Sequence, residues 1–200
     1  MSNYIEETLA HLRNGFVIED DGSKQTSLAN KGRVGLFVER LFGIAANNSR
    51  RPDFGNWELK TVRPSTGVSI GTMPRAEFNR IKNTKNFEFD QSDPYLKMKK
   101  TIFVHYDKVS EWPEPMYVMH GWGICQIDQL HDLTIGILNR DYANACKLVH
   151  QYNTYDDLIE GLRNHGGSTG KYLSLTYKGD RHYIYPSWKF NASFMSAINN

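Results

Sequence analysis

The sequence is poor in cysteine and has no long apolar run. Cys125 and Cys146 are the only cysteines, and they do not form the Cys-x-x-Cys pair of zinc and redox motifs. We therefore expect two buried, reduced thiols. No stretch approaches the roughly 18 apolar residues of a membrane-spanning helix, and the mean hydropathy is −0.56. Residues 1–15 include acidic side chains and lack the apolar segment of a secretory signal, so we expect a cytoplasmic location.

The sequence also lacks a strong charge of either sign. Its net charge is +2, which by itself predicts no binding to nucleic acid. Basic residues nevertheless cluster in two places, at Lys97, Lys99 and Lys100 and at Lys178, Arg181 and Lys189. A locally basic surface on a nearly neutral protein suits an enzyme that binds DNA and must release its product. It equally suits an ordinary solvated surface.

Hydrophobic periodicity predicts a mixture of helices and strands. A chain of 200 residues with 40% hydrophobic residues is long enough for one domain with a buried core. Helices are predicted at residues 3–13, 34–44 (ending near Gly43), within 134–166, and at 191–198 with Asn191 as N-cap. Strands are predicted at residues 54–63, 99–109, 116–127, 171–179 and 181–188, the last two as a pair, and loops with short elements at 64–94. The predicted fold class is therefore α/β or α+β, a mixed central sheet flanked by helices.

Asp53, Glu58 and Lys60 lie close together in one short segment, RRPDFGNWELKTVRP. Carboxylates disfavour a strand and are costly to desolvate, so the segment is either a solvated edge or a site for a cation. Glu58 and Lys60 are two residues apart on a predicted strand and therefore point to the same face. Asp53, just before the strand, can reach the same place.

This triplet of Asp53, Glu58 and Lys60 fits the chemistry of phosphodiester hydrolysis. Two carboxylates offer the hard oxygen ligands that Mg²⁺ prefers. The metal polarises a phosphoryl oxygen and lowers the pKa of a bound water, while a lysine contacts that water or a phosphate oxygen. An acidic residue two positions before a lysine also occurs by chance in most chains, so a solvated strand face remains the alternative.

Glu39 is a second candidate, because it lies in an apolar helix where a charge needs a partner. A metal ion or Lys60 would supply that partner. The alternative is a helix-surface glutamate paired with Arg40 or another cation.

The segment KGRVGLFVERLFG, followed by NNSRRPDFGNWELKT, resembles the MutH-type endonucleases, which include the mismatch-repair nicking enzyme and related type II restriction enzymes. The spacing from Lys31 to Glu39 is that of the family, whereas the loop between Asp53 and Glu58 is shorter than in the mismatch-repair members. Three later segments match more loosely: SDPYLKMKKTIFVHYD, GKYLSLTYKG and WKFNASFMSAI. The order of the segments is kept from about residue 31 to residue 198.

The resemblance implies a PD-(D/E)xK restriction-endonuclease-like fold in a single domain, residues 1–200. Residues 1–110 would carry the catalytic core, and about 165–200 would contribute DNA recognition. Asp53 and Glu58 would be metal ligands, Lys60 the catalytic lysine and Glu39 the helix carboxylate that supports the site. The residues expected to contact DNA are Lys31, Lys97, Thr176, Tyr177, Lys178, Arg181 and Lys189.

The resemblance also implies a reaction and its partners. We expect site-specific hydrolysis of double-stranded DNA with Mg²⁺, for which Mn²⁺ would substitute, leaving 5′-phosphates. A prokaryotic or phage origin, a cognate DNA methyltransferase, and a monomer or homodimer are expected with it.

Three departures from the family pattern concern residues that recognise the DNA sequence. Thr176, Tyr177 and Lys189 stand where the family has arginine, proline and tyrosine, while Lys178 is kept. The recognition sequence, often GATC in this family, is therefore left open. Lys189 could donate to guanine in the major groove or contact phosphate. A mismatch-repair-type nicking enzyme and a catalytically silent DNA-binding module are the alternative functions.

Overall fold

The computed structural model describes residues 2–19, 32–44, 53, 56–63, 66–85, 87–109, 115–179 and 183–198. The helices and strands of these residues follow in chain order: α1 (Ser2–Ala10), a 3-10 turn (His11–Asn14), β1 (Phe16–Val17), α2 (Arg33–Leu41), β2 (Glu58–Val62), β3 (Val68–Thr72), α3 (Arg75–Asn83), a 3-10 turn (Phe89–Gln91), α4 (Asp93–Met98), β4 (Lys100–Lys108), β5 (Met116–Gln126), a 3-10 turn (Ile127–Gln129), α5 (Asp132–His150), α6 (Tyr155–His165), β6 (Leu173–Gly179), β7 (Ile184–Phe190) and α7 (Ala192–Ile198). The predicted α+β class is confirmed.

The chain divides into two compact units. The first unit comprises residues 1–64 and 100–125, and the second comprises 65–99 and 126–200. Residues 65–99, which the sequence assigned to a catalytic core at 1–110, therefore lie in the second unit. A single domain with separate catalytic and recognition parts stays a prediction.

The first unit contains a mixed sheet with the strand order β1-β5-β4-β2. Strand β2 runs parallel to β4, and β1 runs antiparallel to β5. Helix α1 buries Ile5 and Leu9 in a hydrophobic core that also contains Val38 of α2 and Leu59 of β2. Helix α2 ends before Gly43, whose φ of 70° is the left-handed conformation that glycine adopts without strain. The predicted helices at 3–13 and 34–44 and the mixed sheet are thus confirmed.

The second unit contains an antiparallel sheet with the order β3-β7-β6. The predicted pairing of the last two strands is confirmed, with Leu173 opposite Phe190 and Leu175 opposite Trp188. The buried carboxylate of Asp141, on α5, accepts hydrogen bonds from the backbone N–H groups of Tyr172 at 2.6 Å and Leu173 at 3.1 Å. These bonds connect the long helix to the start of β6.

Residues 66–94 are more regular than their turn-rich composition predicted. They form β3, α3 and the start of α4. Glu77 of α3 is buried, where it accepts hydrogen bonds from Arg80 at 3.0 Å and from the Tyr142 hydroxyl at 3.1 Å. Burial raises the pKa of Glu77, and the bond from Arg80 opposes that rise. Tertiary contacts, which local composition does not reveal, therefore stabilise this helix.

Asn191 precedes α7 as predicted, but its side chain binds elsewhere. It donates to the Gly170 carbonyl at 2.6 Å and to the Ser174 hydroxyl at 2.9 Å. The residue therefore connects the loop before β6 to the end of β7.

Both cysteines are free and buried, as the sequence predicted. Burial raises the pKa of Cys125 and of Cys146 to about 12, which leaves the thiols protonated and unreactive near neutral pH. None of the helices in the part of the chain that the structure describes is long and apolar enough to cross a membrane.

Candidate active site

Strand β2 presents Glu58 and Lys60 on the same face. Leu59, between them, points the other way into the hydrophobic core, which accounts for the alternation of charged and apolar residues. The Lys60 ammonium forms an ion pair with Glu58 Oε1. The Glu58 side chain is 1% exposed and that of Lys60 is 19% exposed. The solvated strand edge that the sequence left open is therefore not what the structure shows for Glu58.

Asp53 precedes β2 in the sequence, and its side chain lies beside Leu59 of that strand. Its Oδ2 accepts a hydrogen bond at 2.8 Å from the backbone N–H of Leu59, the residue between Glu58 and Lys60. The Lys60 ammonium also donates to the Leu59 carbonyl at 3.4 Å. Asp53 and Lys60 therefore both contact the Leu59 backbone, and Glu58 is joined to them through its ion pair with Lys60.

The triplet has the donor set of a hard divalent cation. Asp53 and Glu58 supply carboxylate oxygens, and each carboxylate has two oxygens with several lone pairs. Among the described residues, no group of three or more His, Cys, Asp or Glu side chains could hold a metal ion. A cation at this site would therefore take its remaining ligands from backbone, water or substrate, which is the usual manner of Mg²⁺.

Comparisons with known proteins point to one class of enzyme. Residues 16–110, which contain the triplet, match the model of the MvaI/BcnI restriction endonuclease family. These matched residues make this part of the chain similar to type II restriction endonucleases. A solved complex of restriction endonuclease MvaI with its cognate DNA substrate has a similar fold, with a TM-score of 0.54 over 98% of this chain and 95% of that chain at 11% identity. A comparison with curated proteins gives no match.

These findings confirm the predicted relation to type II restriction endonucleases and the restriction-endonuclease-like fold. The matching family is that of MvaI and BcnI, and the closer likeness to MutH-type enzymes stays a prediction. The roles of individual residues likewise stay predictions.

Glu39 lies half-buried near the end of α2. This helix packs on the opposite face of β2 from Glu58 and Lys60, since a Cβ added at Gly35 would lie 3.4 Å from Thr61 Oγ1. The Glu39 carbonyl accepts hydrogen bonds from the backbone N–H groups of Phe42 at 3.1 Å and Ile44 at 2.9 Å. A supporting role for the Glu39 carboxylate at the triplet stays a prediction.

Two further lysines, Lys31 and Lys97, were expected to contact DNA. Lys31 lies outside the described residues. Lys97 lies on α4 in the second unit, where a Cβ added at Gly71 of β3 would be 3.8 Å from its ammonium nitrogen. The structure therefore places Lys97 beside the sheet of the second unit.

One face of that sheet is polar. Residues paired directly across antiparallel strands point to the same side, and Lys189 of β7 pairs with both Ser69 and Ser174. Thr176 pairs with Ser187, and Lys178 pairs with Tyr185. We call these residues the polar face: Ser69, Ser174, Thr176, Lys178, Tyr185, Ser187 and Lys189. It carries hydroxyl groups and two ammonium groups, and no member is acidic.

Three of the residues predicted to contact DNA, Thr176, Lys178 and Lys189, thus share the polar face. Tyr177 points to the other side of the sheet and is 45% exposed, and Arg181 lies outside the described residues. Sequence analysis missed Ser69, Ser174, Tyr185 and Ser187. The alternation in IYPSWKF could have indicated the last two. The position of Ser69 depends on the distant strand β7, where its hydroxyl lies 3.4 Å from that of Ser187, 118 residues later.

Proposed function

We propose that this protein is a Mg²⁺-dependent restriction endonuclease that cuts double-stranded DNA at a specific sequence and leaves 5′-phosphates. The Lys60–Glu58 ion pair, with Asp53 bound to the N–H of the intervening Leu59, carries the proposal. It supplies two carboxylates for a cation and one ammonium group beside them. Restriction endonucleases generally use a divalent metal ion, and this donor set suits the harder ions among them.

The residues of the triplet divide the chemistry between them. Asp53 and Glu58 would hold the cation, whose charge when bound would acidify water and neutralise the phosphate. Lys60 then donates a hydrogen bond to the attacking water or to a non-bridging oxygen, where negative charge grows in the transition state. Water attacks phosphorus in line, and the bond from phosphorus to the 3′ oxygen breaks. The 3′ oxygen takes up a proton, so the phosphate remains on the 5′ end.

The polar face is the proposed DNA contact of the second unit. Lysine and hydroxyl groups are common partners of phosphate oxygens, and such contacts position a protein on the duplex. Lys189 could also donate to guanine. Tyr177 and Arg181 are proposed as further contacts. A DNA methyltransferase would protect the host sequence, and the enzyme would act as a monomer or homodimer.

The reaction is tested on supercoiled plasmids of varied sequence with Mg²⁺, with Mn²⁺ and with a chelator. We expect linear fragments with either ion, no cleavage with the chelator, and 5′-phosphate ends at one repeated sequence on sequencing. Accumulation of nicked circles without linear product would favour the nicking enzyme instead. No cleavage of any DNA with either ion would favour the silent DNA-binding module.

Alanine at Lys178 or Lys189 is expected to weaken DNA binding through the loss of one phosphate contact. Each substitution should lower the slope of log affinity against log salt concentration by about 1. Fluorescence anisotropy of a labelled duplex, measured without divalent metal at several salt concentrations, gives the slope. Arg163→Ala, which removes an exposed cation of α6 in the same unit, is the matched control and should leave the slope unchanged. A slope equal to that of the wild type in both lysine variants would remove the polar face from the DNA contact.

A further inference from the structure

A pocket in the second unit is lined by aromatic and basic side chains. Its volume is about 300 Å³, and its walls are formed by Thr84, Lys85, Phe87, Lys147 and His150. We call it the Phe87 pocket. Volumes of this order are at the lower end of the range for small-molecule sites. None of the lining residues belongs to the triplet or to the polar face.

Flat rings form one side of the pocket. The rings of Phe87 and His150 lie with their centroids 5.3 Å apart at an angle of 55°. Aromatic side chains at this spacing interact favourably, and a ring at a pocket wall offers a face on which a nucleobase stacks. The lining is therefore suited to a planar ligand.

Basic side chains form another part of the lining. Lys85 and Lys147 both line the pocket, and the lining residues that the structure describes include no carboxylate. The nearby carboxylate of Glu88 accepts a hydrogen bond from Gln91. Two ammonium groups without an acidic lining residue favour a phosphate-bearing ligand.

The end of α5 would ordinarily oppose an anion, because helix carbonyls there carry partial negative charge. Lys82 of α3 compensates this charge, since its ammonium donates to the carbonyls of His150 at 3.2 Å and Tyr152 at 2.8 Å. The same bonds connect the end of α5 to α3, so they hold the two sides of the pocket together. Lys85 and Lys147 are then the lysines of the lining that are available to a phosphate.

We infer that the Phe87 pocket binds a nucleotide unit, with the base against Phe87 and the phosphate near Lys85 and Lys147. The bound nucleotide is either a free nucleoside monophosphate or one nucleotide of a DNA chain, because both present a flat base and a phosphate. The site does not depend on the proposed cleavage reaction.

The test follows backbone amide resonances of the full-length protein, labelled with ¹⁵N, in buffer without divalent metal. The probes are dAMP, deoxyadenosine, inorganic phosphate and a short single-stranded oligodeoxynucleotide. We expect dAMP or the oligonucleotide to cause saturable shifts at residues 84–85, 87 and 147–150, with deoxyadenosine and phosphate each binding more weakly. Saturation by dAMP identifies free nucleotide as sufficient, and saturation by the oligonucleotide alone identifies a nucleotide within a chain. Absence of saturable shifts there with both overturns the inference.

Substitutions assign the contacts. The double variant K85A/K147A should bind about tenfold more weakly than the wild type, and Phe87→Ala should weaken dAMP and deoxyadenosine while leaving inorganic phosphate unchanged. Arg140→Ala is the matched control, because Arg140 is an exposed cation two turns before Lys147 on the same side of α5. Wild-type affinity of K85A/K147A, or equal losses in Arg140→Ala, would overturn the assignment. Plasmid cleavage by these variants is measured separately, so that loss of the pocket is distinguished from loss of the catalytic reaction.

Discussion

Alanine in place of Lys60 is expected to slow DNA cleavage by at least about 10²-fold, the usual cost of removing a group that stabilises charge in a transition state. The Lys60 ammonium pairs with Glu58 and is partly exposed, so it can face a phosphate or a water. Its removal leaves both carboxylates of the triplet in place. Cleavage under single-turnover conditions at saturating Mg²⁺ measures the effect on the chemical step.

Two further measurements identify the cause of the loss. Lys60→Ala should bind the cognate duplex without metal nearly as well as the wild type, because the expected defect lies in the transition state. Arg13→Ala, which removes a surface cation paired with Glu6 in the same unit, should cleave at the wild-type rate. If Lys60→Ala also cleaved at that rate, the assignment of Lys60 as the catalytic lysine would be wrong.

Asparagine and alanine in place of Asp53 are expected to have different effects on stability and the same effect on cleavage. Both remove the negative charge that would hold the cation, so both should lower the cleavage rate by at least about 10²-fold. Asparagine keeps an oxygen that can accept the hydrogen bond of 2.8 Å from the Leu59 N–H. Alanine leaves that N–H without this acceptor, which costs about 1–3 kcal/mol if the group stays buried.

Three measurements on each Asp53 variant separate a metal-holding role from a structural one: single-turnover cleavage, denaturant unfolding and calorimetric titration with Mg²⁺. We expect weak Mg²⁺ binding in both variants and reduced stability only in Asp53→Ala. If Asp53→Asn instead cleaved at the wild-type rate, Asp53 would serve only to hold the backbone of β2. Arg13→Ala again serves as the control for a change of surface charge.

Sequence reasoning succeeded where the relevant residues are neighbours along the chain. Ile5, Leu9 and Leu12 recur at helical spacing, and the structure buries all three. Glu58 and Lys60 share a face because side chains alternate along any strand. Asp53 is close to both residues in the sequence, and its hydrogen bond to the Leu59 N–H joins residues six positions apart.

Sequence reasoning failed where a helix or strand depends on partners that are distant in the sequence. Helix α3 has two buried apolar residues, Phe78 and Ile81, so its hydrophobic pattern was too sparse to predict a helix. Its buried Glu77 is bound by the hydroxyl of Tyr142, 65 residues later. Burial of a carboxylate is stable only with such partners, and they cannot be located from spacing.

The sequence by itself determined the shared face of Glu58 and Lys60 and the first two helices, because these rest on local periodicity, and a short motif carried the resemblance to restriction endonucleases. The tertiary structure alone decided which residues of distant segments come together: the hydroxyls of Ser69 and Ser187, and Lys85 and Lys147 in the lining of one pocket. The physical reason is that strand register and helix packing are set by long-range burial and hydrogen bonding, which local propensity does not encode. The catalytic hypothesis could therefore be drawn from residues 53–60, whereas the polar face and the Phe87 pocket required the folded second unit.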